Sequence, residues 1–576
     1  PLRTTEGWEI EGASVEGFSD RRGLNLKATG DVVTVTTPPF EVSTRVAPFI
    51  RLEWAARALG KESRPSVSWL LNEESEWKPD RRAEFPRLDD ADGLTYANVP
   101  VYRDPGYQGT LRRIRFTFDH ASGSTITLKS LITAIDTRHP ITNINYVRGS
   151  VEYVSWTTDL PFLRSIIGQL RESLRYALKE FDVDARHLVS VPWVGHEGRT
   201  GLKARPNGRK RLVPGEGVGN NYWDLLPFGG DDGLATIYLY DALRGFAKLE
   251  RAIAAHPEWK IPDTPAPFAA GDLDRLADQV KAKFNETFWS EQTGRFVGWR
   301  DRDGASPDYG FVFVNTEAIA YGIADDDKAK IVYDWLDGRR FVEGDTSQGA
   351  DIYHWRFGPR STTKRNVETY VWSWSDPGSI PWGNQVQDGG GVLGFSYFDL
   401  MARLRVHGPD DAWRRLQVIL TWFGEVQSEG GYRAYYAKPG RGTLQGGGPP
   451  GGLGFDHEFM ESVLVTQVML YGFLGASPDP GGLRLAPRLP SDWPSLTVTR
   501  IHAQGCVLDV TARPDAIEIK AETSDGADFS LWLPEGRWKV SRTADGNEEI
   551  IQESTSAQPI IIRFEPSRTY RFLHIK

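Results

Sequence analysis

Leu160-Pro-Phe-Leu-Arg-Ser-Ile-Ile-Gly-Gln-Leu-Arg-Glu-Ser-Leu-Arg-Tyr-Ala-Leu-Lys-Glu-Phe181 sets the fold class. Leu163, Ile166, Ile167, Leu170, Leu174 and Leu178 fall on one face of a 3.6-residue period, which predicts an amphipathic helix. Leu234 to Ile253 repeats the pattern through Ile237, Leu239, Leu243, Phe246 and Leu249. Further helical stretches are expected near 272–288, 314–323, 327–336, 392–406, 410–424 and 458–473. Long loops rich in Gly, Trp and charge join them. Helices alternating with such loops suggest a toroid of antiparallel hairpins. Its loops would converge at one mouth, and loops of that length are more often functional than spacers.

On both sides of this region the period changes to two. Val32-Val-Thr-Val-Thr-Thr, Ile114-Arg-Phe-Thr-Phe and Ser124-Thr-Ile-Thr-Leu-Lys-Ser-Leu-Ile alternate apolar and polar residues, with turns at Asp104-Pro-Gly and Ala121-Ser-Gly. They predict an N-terminal β-sandwich, similar to the jelly-roll modules that accompany carbohydrate enzymes. After Ser477-Pro-Asp-Pro-Gly-Gly, strands return at Leu496-Thr-Val-Thr-Arg-Ile, Cys506-Val-Leu-Asp-Val-Thr-Ala, Ile517-Glu-Ile-Lys and Ile560-Ile-Ile-Arg-Phe. The expected order is a β-sandwich over 1–145, a helical domain over 146–476 and an antiparallel β-domain over 477–576.

Composition narrows the function. The chain has 576 residues, 40% hydrophobic and 25% charged, enough for a large core. Its net charge of −9 disfavours a nucleic-acid binder, which carries a basic excess. No apolar run approaches the roughly 20 residues of a membrane span. The lone Cys506 excludes an intrachain disulfide, a cysteine zinc cluster and an iron–sulfur site. The chain begins at Pro1 with no visible signal peptide, which leaves open whether one was removed. The 20 Trp, 20 Tyr and 27 Phe are an unusual outlay of flat rings, which stack on the apolar faces of sugars. The plainer use of the same rings is to fill a helical core.

Three loops carry the chemistry. The first is Gly215-Glu-Gly-Val-Gly-Asn-Asn-Tyr222-Trp223-Asp224-Leu-Leu-Pro-Phe-Gly-Gly-Asp231-Asp232, just before a helix. An Asp beside a Trp in a closed pocket has its pKa raised by desolvation, as a proton donor to a leaving oxygen requires. Asp231 or Asp232 reads more plainly as a helix N-cap. The second is Pro381-Trp382-Gly-Asn-Gln385-Val-Gln387-Asp388-Gly-Gly-Gly, whose Gln385, Gln387 and Asp388 suit vicinal hydroxyls and whose Trp382 offers a stacking face. A turn with a helix cap is the alternative. The third holds Gln427-Ser-Glu429-Gly-Gly-Tyr and, later, Gly-rich sequence ending in Asp456-His457-Glu458-Phe-Met-Glu461. Acidic residues opening a helix stay ionised in its dipole, as a water-activating base must. Glu458 is preferred for that role, then Glu461, then Glu429.

The order of elements and these loops resemble the six-hairpin (α/α)6-barrel glycosidases, the group that includes trehalase, bacterial α-glucosidases and α-L-rhamnosidases. The resemblance covers roughly 150–475 and does not single out one family. It implies that Asp224 is the general acid, since trehalase-like members carry Gly-Trp-Asp here; Tyr222 replaces the Gly. It also implies a late carboxylate as general base and, for most members, inversion. Asp232 is the next acid to consider. Tyr222, Trp223, Trp355, Trp374, Trp382, Gln385, Gln387, Asp388 and His457 are expected to line the sugar site, as is Arg199, from a basic run that otherwise reads as a solvated loop.

The function expected is an exo-acting glycoside hydrolase on an oligo- or polysaccharide. No cofactor, metal, nucleic acid or membrane is expected, and the oligomeric state is left open. A bacterial periplasmic or secreted location fits, with the cytoplasm open. Two alternatives remain. A polysaccharide lyase would take its base from His196, His354 or Tyr370 and bind a uronate through the basic run 199–211. A non-catalytic carbohydrate-binding protein would leave the loop carboxylates unused. The sequence has no His-Glu-x-x-His, Gly-x-Ser-x-Gly or Walker A pattern, and Asp301-Arg-Asp-Gly304 meets Val312 where a calcium loop needs Glu.

Overall fold

Alternating side chains in the N-terminal strands leave one face of each sheet apolar, and the two faces pack together. The computed structural model describes residues 5–19, 23–44, 47–72, 74–88, 93–134, 138–191, 202–204, 210–212, 223, 226, 228–301, 304–370, 376–445, 451–455, 459–524, 526, 528–544, 547–555 and 558–575. These divide into two compact units, Pro1–Arg138 with Val191–Asn220, and His139–Ser190 with Asn221–Lys576.

The first unit holds a six-stranded sheet with the order Glu9–Glu11, Val33–Thr36, Thr110–Phe118, Ser66–Leu71 and Arg82–Glu84, and Val42–Ser43 beside Thr110–Phe118. A five-stranded sheet runs Ala13–Ser19, Gly23–Ala28, Thr125–Ala134, Phe49–Arg57 and Thr95–Val99. All these pairs are antiparallel. One core joins both sheets through Leu26, Trp54, Trp69, Phe116 and Phe118.

The second unit begins with the helix Thr142–Thr157, which runs across the expected boundary at residue 145. Ile144, Val147, Val151 and Val154 are its buried stripe. All four are β-branched, a residue class that favours strands, which blurs the helical period. Leu160–Glu180 folds back on it after two residues, its start fixed by the Asp159 side chain accepting from Phe162 N. Gly233–Ala255 pairs with Ala270–Thr287, Val312–Ala320 with Asp326–Leu336, and Phe395–Val406 with Pro409–Ser428. The first helix of each pair also packs on the next: Thr142–Thr157 on Gly233–Ala255, that helix on Val312–Ala320, and the latter on Phe395–Val406.

The stretch expected as one helix over 458–473 is instead a 3-10 turn Met460–Val463, a short α segment Leu464–Gln467 and a π segment Val468–Phe473. It packs on Phe395–Val406 and returns to the first helix, where Trp156 Nε1 donates to Tyr471 Oη (3.0 Å) and Tyr471 donates to Glu152 Oε1 (2.5 Å). Among the described residues, Thr142–Thr157, Gly233–Ala255, Val312–Ala320, Phe395–Val406 and residues 460–473 pack in succession. Arg148 meets Asp241 and Val151 meets Gly245, so the first two run parallel.

The C-terminal β-domain has a six-stranded sheet and a four-stranded one. The expectation of a wholly antiparallel domain needs one correction, because Gly482–Leu485 pairs in parallel with Asp528–Trp532. Its core continues into the helices: Leu404, Leu416 and Trp422 share one buried cluster with Leu485, Leu508 and Phe572. No described helix is long and apolar enough to cross a membrane.

Candidate active site

The loops singled out from the sequence meet at the start of the helix Phe395–Val406. Trp223, from the first loop, stacks on Phe313 with centroids 4.0 Å apart and on Phe395 with centroids 5.4 Å apart. Just before that helix, Gly391 and Val392 of the second loop pair in parallel with Leu453 and Gly454 of the third. Gly394 abuts the third loop again. A Cβ there would stand 2.5 Å from Glu461 O, a closeness that only glycine allows. Residues more than two hundred positions apart are thus gathered around Gly394 and Phe395.

Asp388 anchors the second loop. It is 0% exposed, takes the Asn366 N–H at 2.8 Å, and pairs with Arg365 at 3.1 Å. Burial pushes its carboxyl up to about 6, against the pull of the Asn366 N–H and of Arg365. Gln385 and Gln387 are buried beside it. Trp355 and Trp382 hold the Arg360 guanidinium, 5.2 and 5.5 Å from their ring centres. Their indole N–H groups donate to Gly389 O (3.0 Å) and Ser347 Oγ (2.8 Å). In this arrangement the two rings brace the loop and one another's cation, and Asp388 is turned into the protein.

Trp223 is 1% exposed, so it forms a packing layer and presents no open face for a sugar. Asp232 is a buried N-cap whose Oδ1 accepts from Ala235 N at 3.0 Å. Asp231 is bound by Arg186. Glu429 sits at the exposed end of Pro409–Ser428, with both oxygens on Arg441 and one also on Lys438. Arg441 and then Lys438 pull its pKa down to about 2. Glu461 lies on the 3-10 turn beside Gly394. Arg199, Tyr222, Asp224, Trp374, His457 and Glu458 lie outside the described residues.

Sequence reasoning passed over Glu317. It sits in Val312-Phe-Val-Asn-Thr-Glu317-Ala-Ile-Ala, a helix buried from Val312 through Ile319. It is 0% exposed, and neither carboxylate oxygen completes a well-formed hydrogen bond. Burial pushes its pKa up to about 8, with Tyr238 and Arg148 pulling the other way. A lone charged residue in an otherwise uncharged helix was the available signal. Among the described residues, no group of three His, Cys, Asp or Glu is placed to hold a metal ion.

Residues 477–537 match the family model described as glycosyl hydrolase family 65, C-terminal domain. No curated protein sequence matches the chain. Among solved structures, it is similar to a GH78 family rhamnosidase of Bacillus sp. GL1, at 12% identity over 91% of this chain and 54% of that one, with a TM-score of 0.36. It is also similar to an α-L-rhamnosidase from Dictyoglumus thermophilum, at 9% identity over 98% and 63%, with a TM-score of 0.32. A family 29 carbohydrate-binding module aligns with 23% of this chain and 82% of its own, at 12% identity and a TM-score of 0.16. The chain therefore spans 54% and 63% of the two rhamnosidases. The family-model match is confined to the C-terminal β-domain and leaves the family of the whole chain unspecified.

Proposed function

We propose that the chain is an exo-acting, inverting glycoside hydrolase of the six-hairpin type, acting on an oligo- or polysaccharide. The observation that carries this reading is the meeting of the three loops around Gly394 and Phe395. Trp223 brings the first loop there, and Glu461 brings the third; these are the loops whose sequences carry Asp224 and Glu458. Asp224 protonates the leaving glycosidic oxygen, and Glu458 takes a proton from the attacking water. An inverting pair stands roughly 6.5–9.5 Å apart to admit that water, against about 5–5.5 Å for a retaining pair. A pocket floored by the aromatic layer of Trp223, Phe313 and Phe395 would be closed-ended, which suits release from a chain end. A periplasmic or secreted bacterial enzyme fits this role.

The test is a panel of aryl glycosides and polysaccharides, followed for reducing ends, for ultraviolet absorbance and for the anomer first formed by proton NMR. New reducing ends with inverted configuration and no absorbance support the reading. An absorbing unsaturated uronate would make the protein a lyase. Turnover of no substrate, with binding retained, would make it a carbohydrate-binding protein.

A further inference from the structure

Near the layer of Trp223, Phe313 and Phe395, the helices frame an open-sided cavity of about 490 Å³, a size typical of small-ligand sites. Phe398 and Tyr321 form the side nearest that layer. Phe398 lies 6.3 Å from Phe395 and 5.7 Å from Tyr321, centre to centre, and both Phe398 and Tyr321 line the cavity. Thr142–Thr157, Gly233–Ala255, Phe395–Val406 and residues 464–471 contribute, with Tyr321 just past Val312–Ala320, and Ser477 and Pro478 also line it. None of the described residues singled out from the sequence lines it.

The lining mixes apolar surface with polar groups, and the polar groups are pre-arranged. The Arg148 guanidinium lies 4.6 Å from the Tyr238 ring centre and 4.8 Å from that of Tyr321. It is fixed by Asp241 at 2.8 Å and by Asn145 at 3.0 Å. Across the space, Tyr471 is locked onto Glu152. The Tyr397 hydroxyl and the Gln467 amide also line the cavity and form no hydrogen bond among the described residues. Gly149 faces it from mid-helix, and a Cβ added there would meet nothing within 4 Å. A mid-helix glycine weakens its helix, and here it leaves the cavity open.

Charge selects the class of ligand. Arg148 is balanced by Asp241, and Arg244 by Asp274 and Asp278. Lys248 and Glu152 then offset each other on the lining. An anion site would need surplus cations. Mixed donors and acceptors beside tyrosine rings instead suit a neutral polyhydroxylated molecule. We propose that this cavity is a second saccharide-binding pocket, separate from the loop-lined site and sized for a neutral mono- or disaccharide. The inference rests on the lining alone and stands apart from the hydrolase reading.

The experiment is isothermal titration of the full chain carrying Asp224→Asn and Glu458→Gln, with D-glucose, L-rhamnose, maltose and sodium sulfate as probes. At least one sugar should bind with a dissociation constant below about 10 mM. Adding Gly149→Leu fills the cavity with a good helix former, so the melting temperature should hold while affinity falls at least about tenfold, or 1.4 kcal/mol. Tyr397→Phe removes one hydroxyl only and should weaken binding about three- to tenfold; it serves as the test if Gly149→Leu fails to fold. Sugar binding untouched by the cavity variants overturns the inference, as does binding of sulfate alone or of no probe. Absence of glycosidase activity in the unsubstituted chain, alongside sugar binding sensitive to Gly149→Leu, would remove the hydrolase reading and leave this one.

Discussion

Trp223 lies flat against Phe313, with ring centroids 4.0 Å apart and planes inclined by 26°. Phe395 stacks on the same indole at 26°. Three segments far apart in the chain are held by this layer, and the catalytic candidate Asp224 follows Trp223 directly. Trp223→Ala should therefore cost about 3–5 kcal/mol of stability, the usual price of deleting a buried aromatic. It should also lower turnover at temperatures where the fold persists. Trp223→Phe keeps a ring in the stack and should lose less of both. Urea denaturation and kcat on one aryl glycoside check this; equal losses in the two variants would deny the layer its role.

The β–helix–β order was legible because side-chain periods differ: Val33–Thr36 and Phe49–Arg57 bury alternate residues, whereas Leu160–Glu180 buries Leu163, Ile167, Leu170, Leu174 and Leu178. Thr142–Thr157 was obscured by its β-branched stripe, and the π segment Val468–Phe473 by having no period of its own. The site was half legible. Loop composition singled out three segments, described parts of which meet around Gly394 and Phe395. It did not reveal that Trp223 and Asp388 turn inward, because burial depends on partners such as Phe313 and Arg365 far along the chain.

Asp388 should leave a pH signature. Its folded pKa, pushed up to about 6, lies above the roughly 3.9 of an unfolded Asp. The folded state therefore holds the proton more tightly. The resulting stabilisation is full below pH ~3.9 and is lost as pH rises through about 6, on the order of 3 kcal/mol in all. Asp388→Asn, which cannot ionise, lacks that slope. The stability of the parent minus that of the variant should fall between pH 4 and 6, as read from denaturation midpoints. A flat difference would place Asp388 in an ordinary carboxylate environment.

Glu429 has both oxygens engaged by Arg441 at the exposed end of its helix. A base must offer a free oxygen to water. Glu429→Gln should thus change kcat by less than about threefold, while Glu458→Gln should lower it by about 10²–10⁴, the usual contribution of a general base. A large loss in Glu429→Gln with a small one in Glu458→Gln would exchange their roles.

Arg171 and Glu250 form a bidentate pair at 2.8 and 2.9 Å, with exposures of 0% and 3%. Glu250→Leu alone leaves a buried guanidinium without its carboxylate and should cost about 3–5 kcal/mol. Arg171→Met together with Glu250→Leu replaces both charges by apolar volume and should recover most of that loss. Thermal denaturation of the two variants measures the difference. A double variant no better than the single one would show that Arg171 matters chiefly through its bonds to Pro262 and Pro265 carbonyls.

Glu317 gives the sharpest pH test. Its folded pKa, pushed up to about 8, compares with roughly 4.3 unfolded, so the folded protein keeps the carboxyl neutral at pH 7. Stability from this group is full below pH ~4.3 and is lost as pH rises through about 8, on the order of 5 kcal/mol for complete ionisation. Glutamine has nearly the shape of protonated glutamate. Glu317→Gln should then be close to the parent at pH 4. It should become progressively more stable than the parent as the pH rises to 9, where the parent must hold a charge beside the Tyr238 and Tyr321 rings. Chemical denaturation of both proteins at pH 4, 7 and 9 reads this directly. A parent that outlasts Glu317→Gln at pH 9 would mean that Arg148 holds the carboxylate ionised, and that burial does not govern this group.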